Sequence, residues 1–179
     1  MITEFSAKVK NANNNARVAF FALLAAGAST VVTYMSIPVY KGLVGLVAVA
    51  LLTAAVLIYT RYMAPTYYYD ITHDSENTPI FVVRQVVGRR ETTLARIDLA
   101  DINSATVESR EERRSHKTPV GTRKYFYTPT LGPAVTCRIS SRSRYESSEI
   151  VIEAGADFAN MLTAYAREAK SLRASLDDE

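Results

Sequence analysis

Chemistry-bearing residues are scarce in this chain of 179 residues, which holds one cysteine, two histidines and seven glycines. With Cys137 alone there is no intramolecular disulfide, and nothing in the chain exploits an oxidising compartment. Hydrolytic chemistry needs a nucleophile, a base and a group to orient the base. The only imidazoles are His73, in a Thr72-His73-Asp74-Ser75-Glu76-Asn77 turn, and His116, in a charged loop; both read as solvated surface residues. Cys137 falls in an alternating strand pattern and reads as a core residue. One cysteine and two distant histidines give no zinc-type spacing. Asp70, Asp74 and Glu76 could hold a hard cation, although a polar turn is the simpler reading. Gly88 and Gly121 are isolated, so a glycine-rich phosphate loop is absent. These absences argue against an enzyme, a metal site or a cofactor.

Charge is missing from two long stretches. Val18 to Ile37 and Gly42 to Thr60 contain no Asp, Glu, Lys, Arg or His. Each holds about 20 residues, the length at which a helix spans the ~30 Å hydrocarbon core. Only Pro38-Val39-Tyr40-Lys41 separates them, so they are expected to form an antiparallel transmembrane hairpin over 18–63. Without ionisable groups or broken helices, neither offers an ion path. Lys8, Lys10 and Arg17 precede the first span and Arg61 follows the second, against Lys41 alone in the connection. That asymmetry places both termini in the cytoplasm, in a multi-pass inner-membrane topology. A cleaved secretory signal shares the basic start and apolar run, but seventeen preceding residues and twenty apolar ones are long for one. Residues 1–17, with Asn11 and Asn13 to Asn15, read as a polar tail.

Small residues recur at helical spacing in both spans. Ala22, Ala25 or Ala26, Ser29 and Thr33 line one face of the first, and Gly45, Ala48, Leu52 and Ala55 one face of the second. Close approach across small residues is how helices gain contacts in lipid, so these faces are expected to meet, or one of them to bind another protomer. Tyr34, Tyr40, Tyr59 and Tyr62 lie at the boundaries, where aromatic anchors belong.

Residues 65–179 are sufficient for one domain. Extended patterns run over Thr66 to Ile71, Ile80 to Val87, Glu91 to Ile97, Ser104 to Glu108, Lys124 to Tyr127, Ala134 to Ser141 and Ser147 to Glu153, about seven strands. A turn at Arg142-Ser143-Arg144-Tyr145-Glu146 separates the last two. After Gly155, with Asp157 as N-cap, Phe158, Leu162, Tyr165, Ala169, Leu172 and Leu176 mark an amphipathic C-terminal helix over 157–176. The fold class expected is therefore α+β.

Three segments carry a resemblance: Tyr69-Asp70-Ile71-Thr72, Ile97-Asp98-Leu99-Ala100-Asp101-Ile102, and Glu149-Ile150-Val151-Ile152-Glu153 running into the Phe158 to Leu172 helix. In this layout the domain resembles the bacterial pleckstrin-homology-like (PH-like) domain, a bent antiparallel barrel plugged by a terminal helix. The whole chain is similar to small bacterial membrane proteins in which two helices precede such a domain. The resemblance implies a binding or assembly module without catalysis, and it carries over no site residues. The long segment 109–133 departs from a compact meander.

Residues 84–144 hold thirteen Lys/Arg and six acids, whereas 145–179 hold three and eight. The tether after Arg61 is only Tyr62 to Pro65, so the domain must lie against the bilayer. Arg84, Arg89, Arg90, Arg110, Arg113, Arg114, Lys117, Arg123 and Lys124 are then candidate contacts for anionic lipid headgroups, each worth about 1 kcal/mol at the surface. Glu108, Glu111 and Glu112 offset about half of the local cluster, and a solvated loop with local ion pairs is the competing reading. Aromatics are not interleaved with these charges, which argues against nucleic acid. The function expected is a noncatalytic, membrane-anchored binding or assembly module, associating with itself or with a protein partner. The alternative is an accessory or regulatory subunit of a transporter or membrane enzyme.

Overall fold

The computed structural model describes residues 3–9, 14–36, 41–75, 77–143 and 146–177. The connection Pro38-Val39-Tyr40, Asn11, Asn13, Glu76, Arg144, Tyr145 and the Leu176 side chain lie outside what it describes. The chain forms two compact units.

One unit is built on two helices, α1 (Asn15–Ser36) and α2 (Lys41–Ile58), with a π-helical turn over Tyr59–Met63 closing the second. Only 6% of the apolar window of α1 and 11% of that of α2 with its turn is buried. The core helix of a soluble protein would be mostly covered, so these two are long, apolar and laid bare. Ser29, Thr30, Thr33 and Ser36 donate their hydroxyls to carbonyls four residues back, which satisfies them without water. Phe20 packs on Tyr59 with ring centroids 5.8 Å apart.

The helices meet along a face that differs from the expectation for α1. Ala16 and Gly27 are its buried residues, flanked by half-buried Phe20, Leu23 and Val31, whereas Ala22, Ala25, Ala26, Ser29 and Thr33 are exposed. On α2 the expected face does pack: Ala48 and Ala55 are buried, with Gly45 and Leu52 half-buried. The reason lies at Gly27, where an added Cβ would come 2.8 Å from Leu52 Cδ2. One glycine against a leucine brings the backbones closer than a row of alanines and serines, and so sets the helix rotation. Gly27→Val is expected to cost about 1–3 kcal/mol of helix-pair stability by overpacking, with Leu52→Ala in the same chain recovering part of it. Unfolding of the detergent-solubilised protein in a dodecyl sulfate titration measures both.

The other unit holds eight strands in two sheets. β1 (Thr3–Val9), β2 (Pro65–His73), β3 (Pro79–Val87) and β4 (Arg90–Asp98) form the first, in that order. β5 (Ile102–Ser109), β6 (Thr122–Tyr127), β7 (Val135–Arg142) and β8 (Ser147–Ile152) form the second, in the order β5-β7-β8-β6. The seven expected strands are all present with ends shifted by a residue or two. The eighth, β1, comes from the supposed polar tail and pairs antiparallel with β2, Ala7 opposite Tyr69. Its alternation is short and mixed, Phe5, Ala7 and Val9 facing inward and Ser6 and Lys8 outward, so only its partner strand reveals it. The expected antiparallel barrel is corrected: among the described residues the sheets do not close, and β6 pairs with β8 in parallel.

Gly88, at φ +61°, makes the tight turn between β3 and β4, a conformation few other residues adopt without strain. A 3₁₀ turn over Leu99–Asp101 then carries the chain from the first sheet to the second. There Asp98 accepts the Ala100 N–H and Leu99 is buried. α3 (Arg110–Ser115) follows β5 behind a capping box, Ser109 and Glu112 exchanging side-chain and backbone hydrogen bonds. α4 (Ala156–Asp177) is the amphipathic helix expected.

The core lies between the sheets and under α4. Tyr67, Tyr69, Ile71, Phe81 and Val83 face Cys137, Ile139, Ile150 and Ile152, and Phe158, Ala159, Leu162, Ala166 and Ala169 of α4 seal it. Phe158 is the hub, with ring centroids 5.6 Å from Phe5, 6.3 Å from Tyr69 and 6.1 Å from Phe81. Tyr69 donates its hydroxyl to the Tyr127 carbonyl and accepts the Glu153 N–H, at 2.6 and 3.3 Å, so its buried polar tip is satisfied.

Candidate functional site

The nine cations named from sequence divide into two groups. Arg89, in the turn after β3, Arg90, at the start of β4, and Arg110, Arg114 and Lys117, on and after α3, are exposed and in no ion pair among the described residues. The other four are occupied. Arg84 binds Asp70 through Nε at 2.5 Å and Glu91 through Nη1 at 2.6 Å, and lies 5.7 Å from the centre of the Tyr68 ring. Arg113 donates to Thr136 Oγ1 and to the Pro133 carbonyl. Arg123 pairs with Glu146 at 3.3 Å, and Lys124 lies over Phe126. Arg84 and Arg113, held by a buried acid and by a carbonyl, are poor headgroup contacts, whereas the Arg123–Glu146 pair is exposed on both sides; five of the nine are in no such contact among the described residues.

Asp70 does not belong to a polar turn. It sits within β2, 2% exposed, with Oδ2 on Arg84 and, among the described residues, Oδ1 without a hydrogen-bond partner. Asp74, in the turn, pairs with Arg96. His73, ending β2, is half-buried. Cys137 is fully buried, and burial pushes its thiol up to about 12, the profile of an inert core residue. Among the described residues no three His, Cys, Asp or Glu side chains converge to hold a metal ion.

His116, expected in solvent, instead reaches a buried cluster on the outer face of the second sheet. Arg138, in the middle of β7, grips Glu108 through Nε and Nη2 at 2.5 and 2.7 Å and Glu149 through Nη1 at 2.6 Å. Glu149 also meets His116 Nε2 and the Thr118 hydroxyl, both at 3.1 Å. Arg138 is 2% and Glu149 4% exposed, although both face away from the core. Residues 110–121 cover them. The one legible signal was that segment's length, since a connection so long must lie over something.

Burial alone would raise the Glu149 carboxyl, but hydrogen bonds from His116, Thr118 and Arg138 outweigh it and hold the group below its ordinary 4.5. The folded state therefore favours the carboxylate. Its contribution is complete above pH 4.5 and disappears as pH falls through the lower folded value. Glu149→Gln should flatten the acid loss in that window. Unfolding midpoints of the two proteins between about pH 6 and about pH 3 measure the difference.

Of the hollows that open into this unit, two lie at the edges of the sheets. One of about 410 Å³ is mostly apolar and lies between β1 and α4, against Phe5, Val9, Phe158 and Met161. The other, about 370 Å³, lies where β4 and β6 approach each other. Leu94 to Asp98 form one wall and Tyr125, Tyr127, Ser141 and Ser148 the floor and far wall. Tyr125 and Tyr127 stack at 6.1 Å with planes 7° apart. Sequence reading did not place this groove, because it depends on two edges brought together from different sheets. Neither a protein-family model, nor a curated protein, nor a solved structure matches the chain.

Proposed function

We propose that this protein is a noncatalytic, membrane-anchored binding or assembly module, whose two-sheet domain of PH-like design is held at the lipid surface. One observation carries the reading. β1 precedes the helical pair and β2 follows it, and the two are neighbouring strands of one sheet. Helices that cross the bilayer twice must then deliver both flanks to the same side, which agrees with Lys8, Lys10, Arg17 and Arg61 marking that side as cytoplasmic. The same pairing speaks against a cleaved leader, since cleavage after α1 would remove Phe5 from its place beside Phe158.

With both ends of the hairpin tied into one sheet, the domain stays within a few residues of the headgroups. Arg89, Arg90, Arg110, Arg114 and Lys117 are the cations free to meet anionic lipid there. An inert thiol and a His116 ring engaged with the buried Glu149 carboxylate suit binding rather than turnover. An accessory subunit of a transporter or membrane enzyme has the same architecture and differs in what the exposed helix faces touch.

The test is a pair of reporter fusions, one at each terminus, in intact cells. Both are expected to report the cytoplasm. Reporters on opposite sides, or both outside, would overturn the reading.

A further inference from the structure

We propose that one end of the sheet unit is a docking face for an anionic bilayer, carried by Arg89, Arg90 and Arg110 and not by Lys117. Topology selects the end. The chain leaves this unit for the apolar helices after Val9 and re-enters it at Pro65, and Val9 stands opposite Tyr67 in the β1–β2 ladder. β2 then runs away from that end to a turn where the Asp74 N–H meets the Thr78 carbonyl. β3 runs back beside it, since Arg84 donates to Asp70 and Gln85 to the Tyr67 hydroxyl. Val87 and the Gly88–Arg89 turn therefore return to the end at which the chain entered. In the second sheet, the turn over Leu99–Asp101 joins the far end of β4, Asp98 opposite Ile80, to the start of β5, Ile102 opposite Ser141. β5 runs back to Ser109, opposite Val135, which brings Arg110 to the same near end.

What the near end carries suits a lipid surface. Arg89, Arg90 and Arg110 are exposed there, and the apolar Val87 and Val135 are 42% and 46% exposed. Of the acids close in sequence or at that end, Glu91 binds Arg84, Glu112 caps α3, and Asp157 lies in the first turn of α4, whose dipole it complements. Glu111 remains to offset the three arginines. At the far end the balance differs, with Arg96 held by Asp74, Arg123 by Glu146 and Arg173 by Asp98 and Asp101. Lys117 is set back from the near end. Its neighbour His116 is tied to Glu149, which stands opposite Ser140, five residues along β7 from Val135, or about 17 Å of strand. That exceeds a Debye length, so attraction to headgroups falls to the three arginines.

This deepens the anchored-module reading and rests on it, because the end is chosen by where the chain meets lipid. The test uses the full chain in lipid nanodiscs, with a bimane label on Val87→Cys and nitroxide-bearing lipids that quench it on contact. Cys137 is buried and stays unlabelled. Strong quenching is expected in discs containing phosphatidylglycerol and little in discs of phosphatidylcholine alone. A label on Ser171→Cys, two residues from the Arg173 that binds Asp98 at the far end, should be quenched in neither. Arg89→Gln, Arg90→Gln and Arg110→Gln combined should shift the docked-to-free balance about a hundredfold. Lys117→Gln, or Arg142→Gln at the far end, should leave it unchanged. Equal quenching in both lipids, quenching at position 171 as strong as at 87, or an equal loss with Lys117→Gln would overturn the proposal. Absent quenching at position 87 with both termini cytoplasmic removes the docking face alone. Termini reported outside remove the anchored module, whatever position 87 shows.

Discussion

Replacing Arg138 with methionine is expected to destabilise the sheet unit by about 3–5 kcal/mol, because it strands two carboxylates rather than removing an ion pair cleanly. Among the described residues Arg138 is the only guanidinium bonded to both Glu108 and Glu149, and its side chain is 3% exposed against 5% for that of Glu149. Desolvated charges without a partner cost more than the pair returns. Against the 5–15 kcal/mol typical of a whole domain, this is a large share. The chain contains no tryptophan and eleven tyrosines, so tyrosine emission during guanidinium unfolding of the detergent-solubilised protein reports the change. Adding Glu108→Gln and Glu149→Gln should recover most of the loss, since the neutral amides no longer need a cation. A loss below about 1 kcal/mol would show that water reaches the cluster.

Phe158→Ala is the second large effect, also about 3–5 kcal/mol. The ring lies among Phe5, Tyr69 and Phe81, contributed by two adjoining strands and their neighbour. Its removal leaves a cavity that three differently anchored rings have no concerted way to fill. Part of the effect should appear locally. Phe5 is the main inward residue of β1, an edge strand paired on one side only. Amide exchange in residues 3–9 should therefore rise more than in β3, while Phe158→Leu should cost less than half as much. Equal exchange in both strands would mean that β1 is held by its ladder alone.

The secondary structure of the sheet unit was legible because β-branched runs and turn residues coincide there. Ile80 to Val87 ends at Gly88, and Glu91 to Ile97 begins after two intervening residues. The C-terminal helix was legible from Phe158, Leu162 and Ala169 on one stripe. Pairing was not. Nothing local indicates that β6 joins β8 in parallel, since that partnership is set by the path of β7 between β5 and β8. β1 was missed because a strand of seven residues with only three inward side chains, Phe5, Ala7 and Val9, carries little signal without its neighbour. On α1 the stripe of small residues pointed to the wrong face, since packing followed the one position with no side chain, Gly27, rather than the longest run of small ones. The cation cluster was visible as composition. Its division into free and engaged members depended on where Asp70, Glu146 and Thr136 stand in space.

The partnership of β1 with β2 also orders events during synthesis. Thr3 to Val9 leave the ribosome first yet have no mate until Pro65 to His73 emerge, and both helices lie between the two. Were a single helix to enter the lipid, the two strands would be stranded in different compartments, the sheet would be left three strands wide, and Phe158 would lose one of its three rings. If the two helices insert as proposed, correct insertion is a precondition for finishing the domain.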